Sequence, residues 1–426
     1  MADLRGKTVA VKCLWTGGSI HEDVYVDVDE DGKITHIGSA PKAVTTLVEL
    51  KNQILIPGFV NSHSHAFHRF LRGRSELGKS AADTFWKWRD NMYELVADVG
   101  KGDIYKYCLT TFKEMINAGI TTVGEFHYVH HSSGRFDLDE AVLQAAVDAG
   151  IRIVLLQTLY EKAGFADVAL HPVQERFVST YDEFLESVQK LRTTNYPNVS
   201  IGVAAHSTRA VPFENIEKLY NFAHKEKLPF HIHLEEQPKE ILDCQRFLGT
   251  KETPSDVLLN RLQIDETFTA VHATFTSKDN QSTFAKLGAN ISVCPCTEGY
   301  LGDGFPRLVD SSHVSFGTDC NNRISFIEEM RWACFSQQMI NNSRSVNGFT
   351  ADKLLTCATS SGARSLGLSD SVGSFEVGKF FDAVAFTLDS PLLSNCNSDQ
   401  LIDAIVFGCG NREISSVFVA GRNRKD

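Results

Sequence analysis

The chain has 426 residues, 42% of them hydrophobic and 22% charged, which is the balance of a globular protein with a sizeable core and excludes a disordered tail or a small stapled module. Its net charge of −11, from 53 acidic against 42 basic residues, repels phosphate backbones and anionic bilayers, so neither nucleic acid nor a membrane is an expected partner. A small anionic substrate stays open, because a few buried arginines set the field inside a pocket whatever the net charge outside.

The 10 cysteines are scattered from Cys13 to Cys409 in a chain large enough to need no disulfide framework, and they read as reduced thiols. No apolar run approaches the roughly 18–20 residues that span a bilayer. The stretch Met1–Trp15 carries Asp3, Arg5, Lys7 and Lys12 among its apolar residues and shows no signal-peptide pattern, so a cytoplasmic protein is expected.

In chain order, the first segment offers short β-type runs, Thr8–Val11 and Val24–Val28, punctuated by Gly17-Gly18 and Asp31-Gly32. The end of the chain repeats the style with Ala383–Phe386, Ala404–Val406 and Val417–Val419, so a composite β-sandwich domain built from residues 1–56 and 375–426 is expected. Between them, eight apolar runs alternate with helix-like stretches: Gly58–Asn61, Thr121–Phe126, Arg152–Leu159, Val199–Ala204, Pro229–Leu234, Thr267–Val271, Asn290–Cys294 and Val314–Phe316. One of the intervening stretches, Asp103–Ala118, has Ile104, Cys108, Phe112, Met115 and Ile116 at helical spacing. Eight such units predict an α/β fold, a (β/α)8 TIM-like barrel over residues 57–374, with its active site just beyond the C-terminal ends of the strands.

Those ends carry His63 and His65, Glu125 and His127, Tyr160, His206 and Arg209, His233 and Glu236, His272, Glu298, and Asp319. Residues two apart on a strand face the same side, so His63 and His65 can offer two imidazoles to one ion. The alternative for the pair is two histidines at a polar strand end. His233 supplies a third nitrogen, while His272 and Asp319 supply a further imidazole and a carboxylate. Five polar strand ends by accident is a poor explanation of the whole set. Three nitrogens and one oxygen suit Zn²⁺ or Fe²⁺ with a position left for water, whose pKa falls from about 15.7 to about 7 on coordination. Glu236, one turn past its strand, is the candidate to carry the proton from water to a leaving amine; otherwise it and Glu235 are solvated loop carboxylates.

These motifs resemble the amidohydrolase superfamily, its metal-dependent deaminase type, and within it the formimidoylglutamate deiminase family. The resemblance runs through Pro57–Arg69, Trp86–Arg89, Gly124–His131, His206–Val211 and Thr297–Gly304. It implies one metal ion per subunit held by His63, His65, His233 and Asp319, with Glu236 shuttling protons and His272 orienting the attacking water. It likewise implies that Arg89, Tyr128, His206 and Arg209 surround the glutamate part of the substrate, and it favours a homodimer. The reaction implied converts N-formimidoyl-L-glutamate and water to N-formyl-L-glutamate and ammonia, a step in histidine degradation. Two planar guanidinium forks suit a dicarboxylate better than a purine or pyrimidine, although composition alone makes Arg89 a surface helix residue.

Two segments depart from the family pattern. His68 stands at a substrate-facing position where glutamine is usual, and Cys320–Arg323 replaces a serine-led segment. A related deaminase acting on a nucleobase, pterin or guanidino acid is therefore the alternative; a nucleobase enzyme should show stacking groups and amide readers instead of paired arginines. A catalytically silent barrel would have lost metal ligands, and none is missing here. Of the remaining features, Cys294 and Cys296 read as core thiols on a barrel strand, His130 and His131 as supporting or loop residues, Trp86 and Trp88 as packing anchors, and Arg69, Arg72 and Arg74 as a solvated helix face.

Overall fold

The computed structural model describes residues 3–42, 46–74, 85–166, 168–309, 312–346 and 348–426. Four strands come first: β1 (Lys7–Thr16), β2 (Ser19–Val28), β3 (Ile34–Gly38) and β4 (Thr46–Pro57). The eight barrel strands follow as β5 (Phe59–Ser64), β6 (Ile120–His127), β7 (Arg152–Leu159), β8 (Val199–Ser207), β9 (Phe230–Leu234), β10 (Phe268–His272), β11 (Asn290–Val293) and β12 (Val314–Phe316). They pair in parallel in the order β12-β11-β10-β9-β8-β7-β6-β5, and a parallel bridge between Ser64 and Asp319 joins the two ends. Strands β5, β6, β7, β9, β10, β11 and β12 are buried at every position, as expected of strands with helices outside and a packed lumen inside.

Polar residues fasten the seam where β5 meets β12. Asn61 Nδ2 donates to Thr318 Oγ1 at 2.6 Å while its Oδ1 accepts from Thr318 N at 3.0 Å, and Ser62 Oγ donates to Phe316 O at 2.8 Å. Because every member of this network is paired, it fixes register at little cost in unmet hydrogen bonds.

The chain ends meet in one seven-stranded mixed sheet, completed by β13 (Ala383–Thr387), β14 (Ile414–Val419) and β15 (Arg422–Asn423), in the order β15-β14-β13-β4-β1-β2-β3. One face closes over its own core of Val9, Val11, Val26, Leu55, Ala383 and Phe418. Strand β4 leads into β5 through Gly58, where an added Cβ would meet Thr121 Oγ1 at 2.1 Å, so only glycine lets the chain pass from sheet to barrel. At the same junction Arg152 opens β7 and grips Asp382 with two bonds of 3.2 Å, its guanidinium 4.3 Å from the Phe380 ring centroid.

Two local expectations are corrected. Ala404–Val406 is not a strand but part of the helix Ser398–Gly408, which starts in a capping box of Asn397 with Gln400 and buries Leu401, Ile402, Ile405 and Val406 against the barrel core. Cys294 and Cys296 are not on a strand either: β11 stops at Val293, and Pro295 opens the short helix Pro295–Leu301, since proline cannot donate to a ladder.

Candidate active site

The ends of β5, β9 and β12 bring four side chains to one point. His63 Nε2 lies 3.2 Å from His233 Nε2, and Asp319 Oδ1 lies 3.5 Å from His63 Nε2 and 3.4 Å from His65 Nε2. Ligand atoms around one tetrahedral ion with bonds of about 2.0–2.2 Å are separated by roughly 3.3–3.6 Å, so these spacings fit a single divalent cation. The far ring nitrogens support it. His65 Nδ1 bonds Phe126 O at 2.7 Å and His233 Nδ1 bonds His206 O at 2.9 Å, which places a proton on each Nδ1 and a lone pair on each Nε2. Burial lowers His63 to about 3 and His65 to about 4, holding both imidazoles neutral, the form that ligates. Burial opposes ionisation of Asp319, but hydrogen bonding from His63 and the charges of His65, His63 and His272 outweigh it and hold the carboxyl far below its usual range.

Both Asp319 (φ 41°) and His272 (φ 68°) sit in the left-handed region although neither is glycine. Such backbone costs on the order of 1–3 kcal/mol and persists where the surroundings over-determine it.

His272 and Glu236 face the cluster. His272 Nε2 is 3.8 Å from Glu236 Oε1 and 4.0 Å from Asp319 Oδ2, while its Nδ1 is 3.3 Å from Glu298 Oε1. Burial disfavours a charged His272, yet Glu236, Glu298 and Asp319 together push it up to about 10. Glu236 is raised by burial, with the Asp319 charge adding to the effect. Its neighbour Glu235 is no solvated loop residue: it is buried and accepts from Ser255 N at 2.9 Å and Ser255 Oγ at 2.8 Å.

A cavity opens over this group, lined by His68, Arg89, Tyr128, His206 and Arg209 as well as by His65, His233, Glu236, His272 and Asp319. Of the residues expected from sequence to ligate metal, catalyse or bind substrate, all but the fully buried His63 line it; of the other strand-end residues Tyr160 does too, whereas Glu125, His127 and Glu298 do not. The guanidinium carbons of Arg89 and Arg209 lie 4.8 and 5.6 Å from the Trp86 ring centroid, and neither Nε has a partner. Arg209 Nε is 3.9 Å from Glu240 Oε2. His68 Nε2 is 3.0 Å from Tyr128 Oη. The His206 ring lies 4.7 Å from that of Tyr160 and is held well below its usual pKa by burial and by Arg209.

Several contributors were not given roles from sequence. Glu298 orients His272, and Glu240 sits buried behind Arg209, its Oε1 accepting from Thr208 Oγ1 at 3.0 Å. Asp303, hydrogen-bonded by Gln237, is pushed up to about 9 by burial and by Glu236; its only sequence signal was its place inside Thr297–Gly304. Trp86 does more than anchor packing, since both arginines approach its ring, whereas Trp88 is buried with its ring 5.2 Å from that of His68. His130 supports Asp139 at 2.8 Å and His131 bonds Val178 O at 3.1 Å. Arg69 and Arg72 both pair with Glu114, at 2.5 and 2.8 Å.

A family model described as the amidohydrolase family matches residues 54–424. The chain belongs to that family. This amidohydrolase is 34% identical over 418 residues to a formimidoylglutamate deiminase of Pseudomonas aeruginosa, covering 94% of this chain and 90% of that protein. It is 25% identical over 411 residues to a 5-methylthioadenosine/S-adenosylhomocysteine deaminase of Pyrococcus furiosus, covering 94% and 90%. Among solved structures, an amidohydrolase from Brucella melitensis superposes with a TM-score of 0.87 at 27% identity, over 98% of this chain and 94% of that one. An adenosine deaminase from Xanthomonas campestris with bound zinc shares the fold, with a TM-score of 0.80 at 22% identity over 98% and 93% of the two chains.

Proposed function

We propose that this amidohydrolase hydrolyses the C=N bond of N-formimidoyl-L-glutamate to give N-formyl-L-glutamate and ammonia, using one zinc ion per subunit held by His63, His65, His233 and Asp319. The observation that carries the reading is the pair of arginines, Arg89 and Arg209, gathered around Trp86 in the same cavity as the four-ligand cluster. One end of the cavity suits carboxylates and the other suits hydrolysis. The 34% identity to a protein named for this reaction supports it.

A divalent cation bound by the four ligands would supply Lewis acidity and make water a better nucleophile near neutral pH. The protein groups do the rest. Glu236, raised by burial, takes a proton from the attacking water and passes it to the substrate nitrogen. Over the full reaction a C–O bond forms at the formimidoyl carbon, the C–N bond breaks, and both water protons end on the ammonia released. His272, braced by Glu298, faces the attacking oxygen as a donor, and Asp319 orients it. Arg89 and Arg209 hold the carboxylates, and His206, Tyr128 and His68 complete the wall. With this substrate the reaction is a step of histidine degradation. A cytoplasmic homodimer completes the proposal; no described helix is long and apolar enough to cross a membrane.

A nucleobase deaminase reading is weaker, because the described lining contains aromatic rings but no asparagine or glutamine to read a base edge. Steady-state ammonia release from N-formimidoyl-L-glutamate by zinc-loaded protein, with guanine, cytosine and a guanidino acid in parallel, tests the proposal. A kcat/KM above about 10⁴ M⁻¹s⁻¹ on the first substrate alone is the expected result. No release from it by metal-loaded protein refutes the substrate assignment.

A further inference from the structure

We propose that His68, Asp319 and Cys320 form a second divalent-cation site beside the four-ligand cluster, built on a thiolate and sharing only Asp319 with it. A ring nitrogen of His68, a carboxylate oxygen of Asp319 and the Cys320 sulfur lie within 4.8 Å of one another, and all three residues are buried.

The hydrogen bonding leaves donor atoms free for it. Tyr128 Oη lies 3.7 Å from Met92 Sδ, the acceptor of its own proton, so at 3.0 Å it accepts from His68 Nε2–H. That assignment leaves Nδ1 of His68 with a lone pair, and this atom is buried without a partner. An orphaned buried acceptor is costly, and a bound cation would remove that cost.

Asp319 divides its oxygens between the two positions. Oδ1 faces His63 and His65, whereas Oδ2 lies 3.7 Å from Cys320 Sγ. A sulfur at about 2.3 Å and an oxygen at about 2.0 Å from one tetrahedral ion are roughly 3.5 Å apart, so little movement is required. Imidazole, carboxylate and thiolate together select Zn²⁺ or Co²⁺ over Mg²⁺ or Ca²⁺, and the thiol releases its proton to solvent on binding.

Two other buried clusters are tied more fully into the protein's own hydrogen bonds, although Glu298 Oε2 and both ring nitrogens of His127 have no hydrogen-bond partner. In His272–Cys294–Glu298 the carboxylate already accepts from Cys294 N at 2.9 Å and faces His272 Nδ1 at 3.3 Å. In His127–His130–Asp139, Asp139 is held by His130 at 2.8 Å and Gln157 at 2.5 Å, and the other nitrogen of His130 bonds Thr158 O at 2.8 Å.

With three protein donors against four, the second site binds more weakly than the first. His68 lines the substrate cavity, so a cation held there occupies part of the wall that meets substrate. Excess zinc then inhibits in competition with substrate; this consequence alone rests on the proposed reaction.

Stepwise Co²⁺ titration of metal-free protein, followed by absorption and by bound-metal analysis, is the test. Two ions per chain are expected, with thiolate-to-cobalt charge-transfer absorption growing in with the second. Cys320→Ser should bind the first ion, lose the second, and lose the absorption. His68→Gln should weaken the second ion at least tenfold and leave the first unchanged, which also controls for folding. Saturation at one ion without charge-transfer absorption, or two ions with the absorption intact in Cys320→Ser, overturns the site. Neither result depends on which substrate is turned over, so failure of the site and failure of the proposed reaction are read separately.

Discussion

Replacing Arg209 with methionine tests the carboxylate clamp most directly. The Arg209 side chain is 16% exposed, its Nε has no partner, and its nearest acid, Glu240 Oε2, is 3.9 Å away, too far for a tight ion pair. Its Nε is therefore open to a ligand. A hydrogen bond to a charged group contributes about 1.5–3 kcal/mol, so Arg209→Met should lower kcat/KM by about 13- to 160-fold at 1.36 kcal/mol per decade. The loss should appear mainly in KM, because the clamp holds ground state and transition state alike. The stability cost should be small: Glu240 already titrates at about 7 under burial with Arg209 pulling it down, and without the cation it takes a proton instead of standing as a buried charge. Steady-state kinetics with N-formimidoyl-L-glutamate and with N-formimidoylglycine, which has one carboxylate, closes a cycle. The variant should lose at least about tenfold less on the truncated substrate if Arg209 meets the distal carboxylate. A KM within twofold of wild type, or equal losses on both substrates, refutes the clamp.

Glu236→Gln should keep the metal, since Glu236 is not among the four ligands, and lose about 10²- to 10⁴-fold in kcat; an active, metal-loaded variant removes Glu236 from the proton path. Asp382→Asn leaves Arg152 buried without its counter-charge and should destabilise by about 3–5 kcal/mol in urea denaturation, with Arg152→Met/Asp382→Leu recovering most of it. A single-variant change under about 0.5 kcal/mol would show that the junction does not depend on this pair. Glu240→Gln addresses pH. The folded protein holds the Glu240 proton up to about 7, whereas the ordinary value is 4.5, so the native state binds more protons across that window and stability falls as pH rises through it. At about 1.36 kcal/mol per unit the fall is about 3 kcal/mol. The variant should lack this component, and an unchanged slope of stability against pH between 4.5 and 7 would contradict it.

How much of this was legible depended on whether the deciding contact was local. The barrel strands were, because burial on both faces demands continuous apolar runs, and Arg152–Leu159 and Val314–Phe316 have the same bounds in the structure as in the sequence. A run of three apolar residues carries no period, so Ala404–Val406 reads as strand in the sequence, whereas in the structure it belongs to the helix that starts at the Asn397 cap and buries Leu401, Ile402, Ile405 and Val406. The clustering of His63, His65, His233 and Asp319 was legible because strand ends of a barrel converge by construction. Residues that act through a partner from another segment were not. Glu240 matters through Arg209, Glu298 through His272 and Asp303 through Glu236, and each pairing joins segments whose proximity only the closed fold creates. The same reasoning explains why His68 and Cys320 appeared as two unrelated departures from a pattern. One follows the β5 histidines and the other follows Asp319, and the Ser64–Asp319 bridge that closes the barrel is what brings them to one place. A ring nitrogen of His68 and the Cys320 sulfur lie within 4.8 Å of one another, so the proposed cation site would give both departures one cause, with cobalt charge-transfer absorption as its measurable signature.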